Sequence, residues 1–103
     1  LKANDRSTAV TGKRLGHPVR SLRTNFTREY TKAEYGGMSD EELEAMGAGA
    51  LRKAVKEGDS ENGCFMAGES CALVTKIQPA AEIIRDVVTE GEALLKGAMQ
   101  WVK

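Results

Sequence analysis

Ser39-Asp40-Glu41-Glu42 is the firmest structural signal in the sequence. A serine followed three residues later by glutamate is a capping box: the hydroxyl accepts the N3 backbone N–H, and the glutamate reaches back to the serine's own N–H. Asp40, Glu41 and Glu42 suit the positive end of a helix dipole, and Arg52, Lys53 and Lys56 its negative end, before Gly58 stops the run. Leu43, Met46, Ala50, Leu51 and Val55 fall on one face. Gly47 and Gly49 each cost such a helix about 1 kcal/mol relative to alanine. The pattern therefore predicts another backbone packed close to them.

Other segments arrange themselves around this helix. Ser7-Thr8-Ala9-Val10-Thr11 is β-branched enough for a short strand, closed by Gly12. Gly16-His17-Pro18-Val19-Arg20 reads as a turn and a helix entry, with Pro18 at the first helical position. Val19, Leu22, Phe26 and Tyr30 then recur at helical spacing until Gly36-Gly37. A third helix is expected after Gly63. A fourth starts at Pro79, with Ala80, Ile84, Val87, Gly91, Leu94, Ala98 and Trp101 on one side, as one helix or two meeting at Gly91. The expected fold is mainly α, four or five helices with one short N-terminal strand.

The chain has 103 residues, enough for one domain or part of one, and begins with Leu1 rather than Met, as a piece of something longer would. It has no apolar run of membrane-spanning length and no apolar leader, so neither a membrane partner nor export is expected, and a cytoplasmic location is. Charge sums to zero but is unevenly placed. Residues 1–32 carry eight Lys/Arg against Asp5 and Glu29, and the rest carry seven against thirteen acidic side chains. Such a basic third faces phosphates or an acidic protein, or pairs with the acidic remainder inside the fold. Base-stacking aromatics are not interleaved with it, since Phe26 and Tyr30 belong to the apolar helical face, and this argues against nucleic acid.

Little catalytic chemistry is visible. Cys64 and Cys71, if helical, lie about 10 Å apart along the axis, beyond the reach of a disulfide. With His17 distant in sequence, a zinc set is not expected, and the cysteines read as small buried hydrophobes. His17, beside Pro18, reads as a turn residue. Ser60 and Ser70 lack a nucleophile signature. Taken alone, these residues describe a helical module without its own active site.

Two stretches change that reading. "GAGALRKAVKEGDSENGCFMAGESCALV" (47–74) resembles the C-terminal part of the FMN-dependent enoyl-acyl-carrier-protein reductases, the second type of bacterial enoyl reductase, in the nitronate monooxygenase superfamily. "TGKRLGHPVRSLRTNFTREY" (11–30) is similar to the segment that follows the barrel body in the same family. Two motifs in the right order extend the resemblance over about residues 8–103.

The resemblance implies a parent TIM barrel that holds FMN and uses NAD(P)H, with a small helical lid domain near its C-terminus. Residues 1–62 would be the lid, and 63–103 the flavin-facing turn and the helices returning to the barrel. Phosphate loops and the family's catalytic histidine would lie upstream, so no catalytic residue is assigned here, and the isolated chain is expected neither to be active nor to bind flavin or nicotinamide tightly. Met66, Ala67 and Gly68 would touch the FMN or the substrate beside it. Gly68 would sit one turn into a helix, Phe65 inside the small domain and Met66 exposed toward the barrel. Cys64 stands where the family usually has serine, and Glu69 where it has glutamine; a carboxylate near reduced flavin needs to be turned away or paired. Arg14, Arg20 and Arg23 would face acyl carrier protein or acyl-CoA. The barrel portion is the expected intramolecular partner, and a homodimer is admitted. Nitronate oxidation is the alternative within the superfamily, and a stand-alone helical interaction module the alternative outside it.

Overall fold

The computed structural model describes residues 2–102. Strands β1 (Thr8–Thr11) and β2 (Val19–Leu22) form an antiparallel hairpin in which Thr8 faces Leu22 and Thr11 faces Val19. Helix α1 (Asn25–Tyr35) follows, then α2 (Asp40–Gly47), then a short α3 (Ala50–Arg52) that widens into a π turn over Lys53–Glu57. A 3-10 turn at Glu69–Leu73 precedes α4 (Ala80–Ala98), which ends in a 3-10 turn at Met99–Trp101. The fold is mainly helical, as expected, with two strands rather than one.

Residues 19–22 are therefore a strand and not the start of a helix. Val19, Leu22, Phe26 and Tyr30 do share helical spacing, but the helix begins after Thr24. Thr24 and Thr27 build a reciprocal cap: the Thr24 hydroxyl accepts the Thr27 N–H, and the Thr27 hydroxyl accepts the Thr24 N–H at 2.9 Å. Upstream of that cap, Val19–Leu22 finds its hydrogen bonds across the hairpin instead.

The capping box at Ser39 forms as read, with Ser39 Oγ accepting the Glu42 N–H at 3.3 Å and Glu42 accepting the Ser39 N–H at 3.1 Å. Its helix does not continue to Gly58. Gly49 takes a left-handed conformation (φ 74°), which breaks the run into α2 and α3. A Cβ at Gly49 would meet nothing within 4 Å, and one at Gly47 would meet only the Tyr30 ring at 3.5 Å. The expected backbone approach is absent at both; Gly49 makes a turn. Close approach occurs at Gly63, where a Cβ would lie 2.4 Å from the Asp59 carbonyl oxygen and 2.9 Å from the Ala54 backbone.

The core is small. Leu43, Tyr30, Ala50, Ala54 and Cys64 are its buried apolar members, joined by buried Thr8, Thr11, Ser21, Thr27 and Glu34. α4 takes no part in it. Ile83, Ile84, Val87, Val88, Leu94 and Leu95 line one side of a single unbroken helix and all are exposed. The radius of gyration is 18.1 Å, against about 13 Å for a compact domain of 100 residues. No helix among the described residues is long and apolar enough to cross a membrane.

Candidate functional site

The expected third helix after Gly63 does not form. Residues 64–67 run extended along the free edge of β2. Leu22 N–H donates to the Phe65 carbonyl at 2.8 Å, Ala67 N–H donates to the Arg20 carbonyl at 3.3 Å, and Ser21 pairs with Met66 as an antiparallel bridge. Cys64 N–H donates to the Ala50 carbonyl at 2.9 Å, fixing the other end to α3. Helical spacing of the two cysteines therefore does not apply; both are free thiols. This segment, assigned above to the C-terminal part, is hydrogen-bonded into the N-terminal one.

Extended backbone sends alternate side chains to opposite faces. Cys64 and Met66 accordingly line the same cavity, Cys64 buried and Met66 55% exposed, while Phe65 is half-buried. Ala67 is half-buried and Gly68 exposed. Gly68 is not inside a helix. It precedes the 3-10 turn with φ −74° and ψ 174°, which any residue adopts, and a Cβ there would meet only Ser70 Oγ at 3.6 Å. Nothing within the described residues requires a glycine at this position.

Next to Met66 lies a cavity of about 150 Å³, reached by Thr11, Val19, Phe26, Ala50 and Leu51 from the hairpin and the helices. Tyr30 and Ala50 are buried, whereas Leu51 is 44% exposed, so Leu51 and Met66 form the rim. The Tyr30 hydroxyl is held above its ordinary pKa, by burial first and the Glu34 carboxylate second. The lining is otherwise apolar, apart from Thr11 and the exposed His17.

The three arginines are engaged within the fold. Arg14 donates to the Glu34 carbonyl at 2.8 Å, to the Met38 carbonyl, and to Asp40 at 2.8 Å. Arg23 Nε donates to the Thr8 carbonyl at 2.9 Å. Arg20 donates to Thr8 Oγ1 at 2.9 Å and pairs with Glu69 at 3.2 Å. An exposed pair of that kind adds about 0–1 kcal/mol, but it ties the carboxylate at position 69 to β2. Cavity and pairing were both missed by reading the sequence, because their members come from separate elements and share no spacing.

A chain with this geometry belongs to the nitronate monooxygenase family, which matches residues 1–90. Among solved structures, FabK from Thermotoga maritima is 40% identical over 98% of this chain, with a TM-score of 0.87. A methionine-to-alanine mutant of FabK from the same organism is 37% identical over 98% of the chain, with a TM-score of 0.76. The chain spans about a third of the length of these proteins, 32% and 29% respectively. No curated protein matches the sequence.

Proposed function

We propose that the protein carrying this chain is an FMN-dependent oxidoreductase and, within that class, an enoyl-acyl-carrier-protein reductase using NAD(P)H. Family membership and the likeness to FabK support the class. The observation that carries the site is the strand-like 64–67 segment, which ends in extended Met66-Ala67-Gly68 with Met66 and Gly68 exposed.

Met66, Ala67 and Gly68 would lie against one face of the flavin. Bound FMN supplies hydride relay between NAD(P)H and the double bond of an enoyl thioester. Ala67 and Gly68 let backbone come close to a flat ring, and the polarizable Met66 thioether covers it and excludes water. Arg20 holds the Glu69 carboxylate in an ion pair, which lowers the cost of a negative charge near reduced flavin. Phosphate loops and a TIM barrel come from the rest of the protein, and the bare face of α4 packs against that barrel. Arg14 and Arg20 remain partly exposed, at 31% and 38%, which suits guidance of an acyl carrier protein or the phosphates of CoA. The family's name also favours nitronate oxidation as a second reading. A stand-alone interaction module is disfavoured by the family match.

Gly68→Val in the full-length protein tests the site. The chain itself leaves room for the side chain, so the fold should survive. Flavin-dependent NAD(P)H oxidation with crotonyl-CoA should fall at least tenfold, an order-of-magnitude figure for a misplaced reacting group. Wild-type turnover in a folded Gly68→Val protein refutes the flavin contact. Oxygen uptake on an alkyl nitronate without crotonyl-CoA reduction selects the second reading.

A further inference from the structure

We propose that the cavity beside Met66 receives the tail of the substrate's acyl chain, and that Ala50 and Leu51 set the chain length it accepts. This rests on the reductase reading above, in which the reacting double bond lies next to Met66.

Three features point to an apolar, uncharged occupant. The buried wall is made of Tyr30, Ala50 and Cys64 with Thr11 and Gly12 beside them, and no carboxylate or ammonium is among the lining residues. Tyr30 is uncharged at neutral pH in any case, and burial first and Glu34 second push its pKa further up. The cavity, open at the Leu51–Met66 rim, has a volume of about 150 Å³, room for a benzene-sized guest of about six carbons. A crotonyl group, with one carbon beyond its double bond, leaves such a space almost empty. An octenoyl group places five carbons in it.

The wall is also poorly able to yield. The Ala50 carbonyl accepts the Cys64 N–H at 2.9 Å, so α3 and the Met66 segment, which both line the space, are locked to each other. Ala50, 4% exposed, contributes a single methyl to the wall. Replacing it with leucine puts three more carbons into the volume the tail would use. Leu51 stands at the opening and is exposed enough to accept a larger ring without disturbing the core.

The test uses the full-length, FMN-loaded enzyme and compares kcat/KM for trans-2-octenoyl-CoA with that for crotonyl-CoA. In Ala50→Leu the octenoyl-to-crotonyl ratio should fall by about tenfold or more, since one methylene of pocket space is worth about 10- to 200-fold in discrimination. Leu51→Trp, which narrows the entrance from the surface, should lower the same ratio, and it remains informative if Ala50→Leu does not fold. A ratio within twofold of wild type in folded Leu51→Trp overturns the proposal. It would mean that the cavity is filled by side chains from the rest of the protein. If the wild-type enzyme reduces neither thioester, the reductase reading falls and takes this inference with it; an unmoved ratio in an active enzyme removes only the inference.

Discussion

Glu34 is the least expected member of the core, and its removal has a calculable consequence. It projects from α1, is 1% exposed, and accepts the Gly12 N–H at 3.2 Å and the Arg14 N–H at 2.8 Å. Its charge is thus met by two backbone donors in the loop after β1. A hydrogen bond to a charged group contributes about 1.5–3 kcal/mol. In Glu34→Ala the buried Gly12 N–H loses its partner, while water can reach the less buried Arg14 N–H. Relief of carboxylate desolvation offsets part of the loss, leaving a net cost of about 2–4 kcal/mol. Glu34→Gln keeps one acceptor but turns an NH₂ toward the second donor, for roughly half that cost. The readout is amide hydrogen exchange of residues 12–18 in the full-length protein. Since 1.4 kcal/mol is a factor of ten, exchange in Glu34→Ala should accelerate by about 30- to 700-fold, with Glu34→Gln between it and wild type. Protection unchanged in Glu34→Ala refutes the reasoning, as does Glu34→Gln exchanging faster than Glu34→Ala.

Other perturbations have equally specific outcomes. Because the raised Tyr30 pKa means the folded state holds the phenolic proton more tightly than the unfolded chain, stability is intact below about pH 10 and declines as pH rises through the folded value. Tyr30→Phe should flatten that alkaline decline in thermal melts; identical slopes would exclude Tyr30 as its source. Asp59 is held below its ordinary pKa of 3.8 by hydrogen bonds from Asn62 first, with the Glu61 N–H adding to them. Its contribution is therefore present above that pH and lost as pH falls through the folded value, so the protection of residues 59–63 relative to intrinsic exchange should fall in acid, and Asp59→Ala should be less protected already at neutral pH. Gly63→Ala should lower the melting temperature, with an overpacking cost of about 1–3 kcal/mol, because its Cβ lands 2.4 Å from the Asp59 oxygen. An unshifted melt would show that the turn yields.

What was legible in the sequence was local. The Ser39 cap, the strand ending at Thr11, the stop at Gly36 and the start of α4 after Pro79 each depend on a few neighbouring residues. What was not legible depends on partners far along the chain. Val19–Leu22 and residues 64–67 are extended because they pair with each other and with β1, and neither carries the alternation that marks a half-buried strand. Glycine has several uses, and position alone did not tell the turn at Gly49 from the close contact at Gly63. At the site, motif resemblance singled out Met66, Ala67 and Gly68. Met66 is exposed, as expected, while the cavity beside it is formed by residues far apart in the chain.

The pairing of residues 64–67 with β2 has a mechanical consequence. Met66 cannot slide or tilt alone, because Leu22, Arg20 and Ala50 grip the backbone on both sides of it. Shifting it relative to the hairpin would mean breaking several backbone hydrogen bonds at once, whereas moving the hairpin and α3 together as one rigid plate breaks none of them. On the flavin reading proposed above, uncovering a ring held against Met66 would then require this whole unit to move rather than one residue. The thioether, the cavity rim and the Arg20–Glu69 pair would lift away together, as one stiff panel.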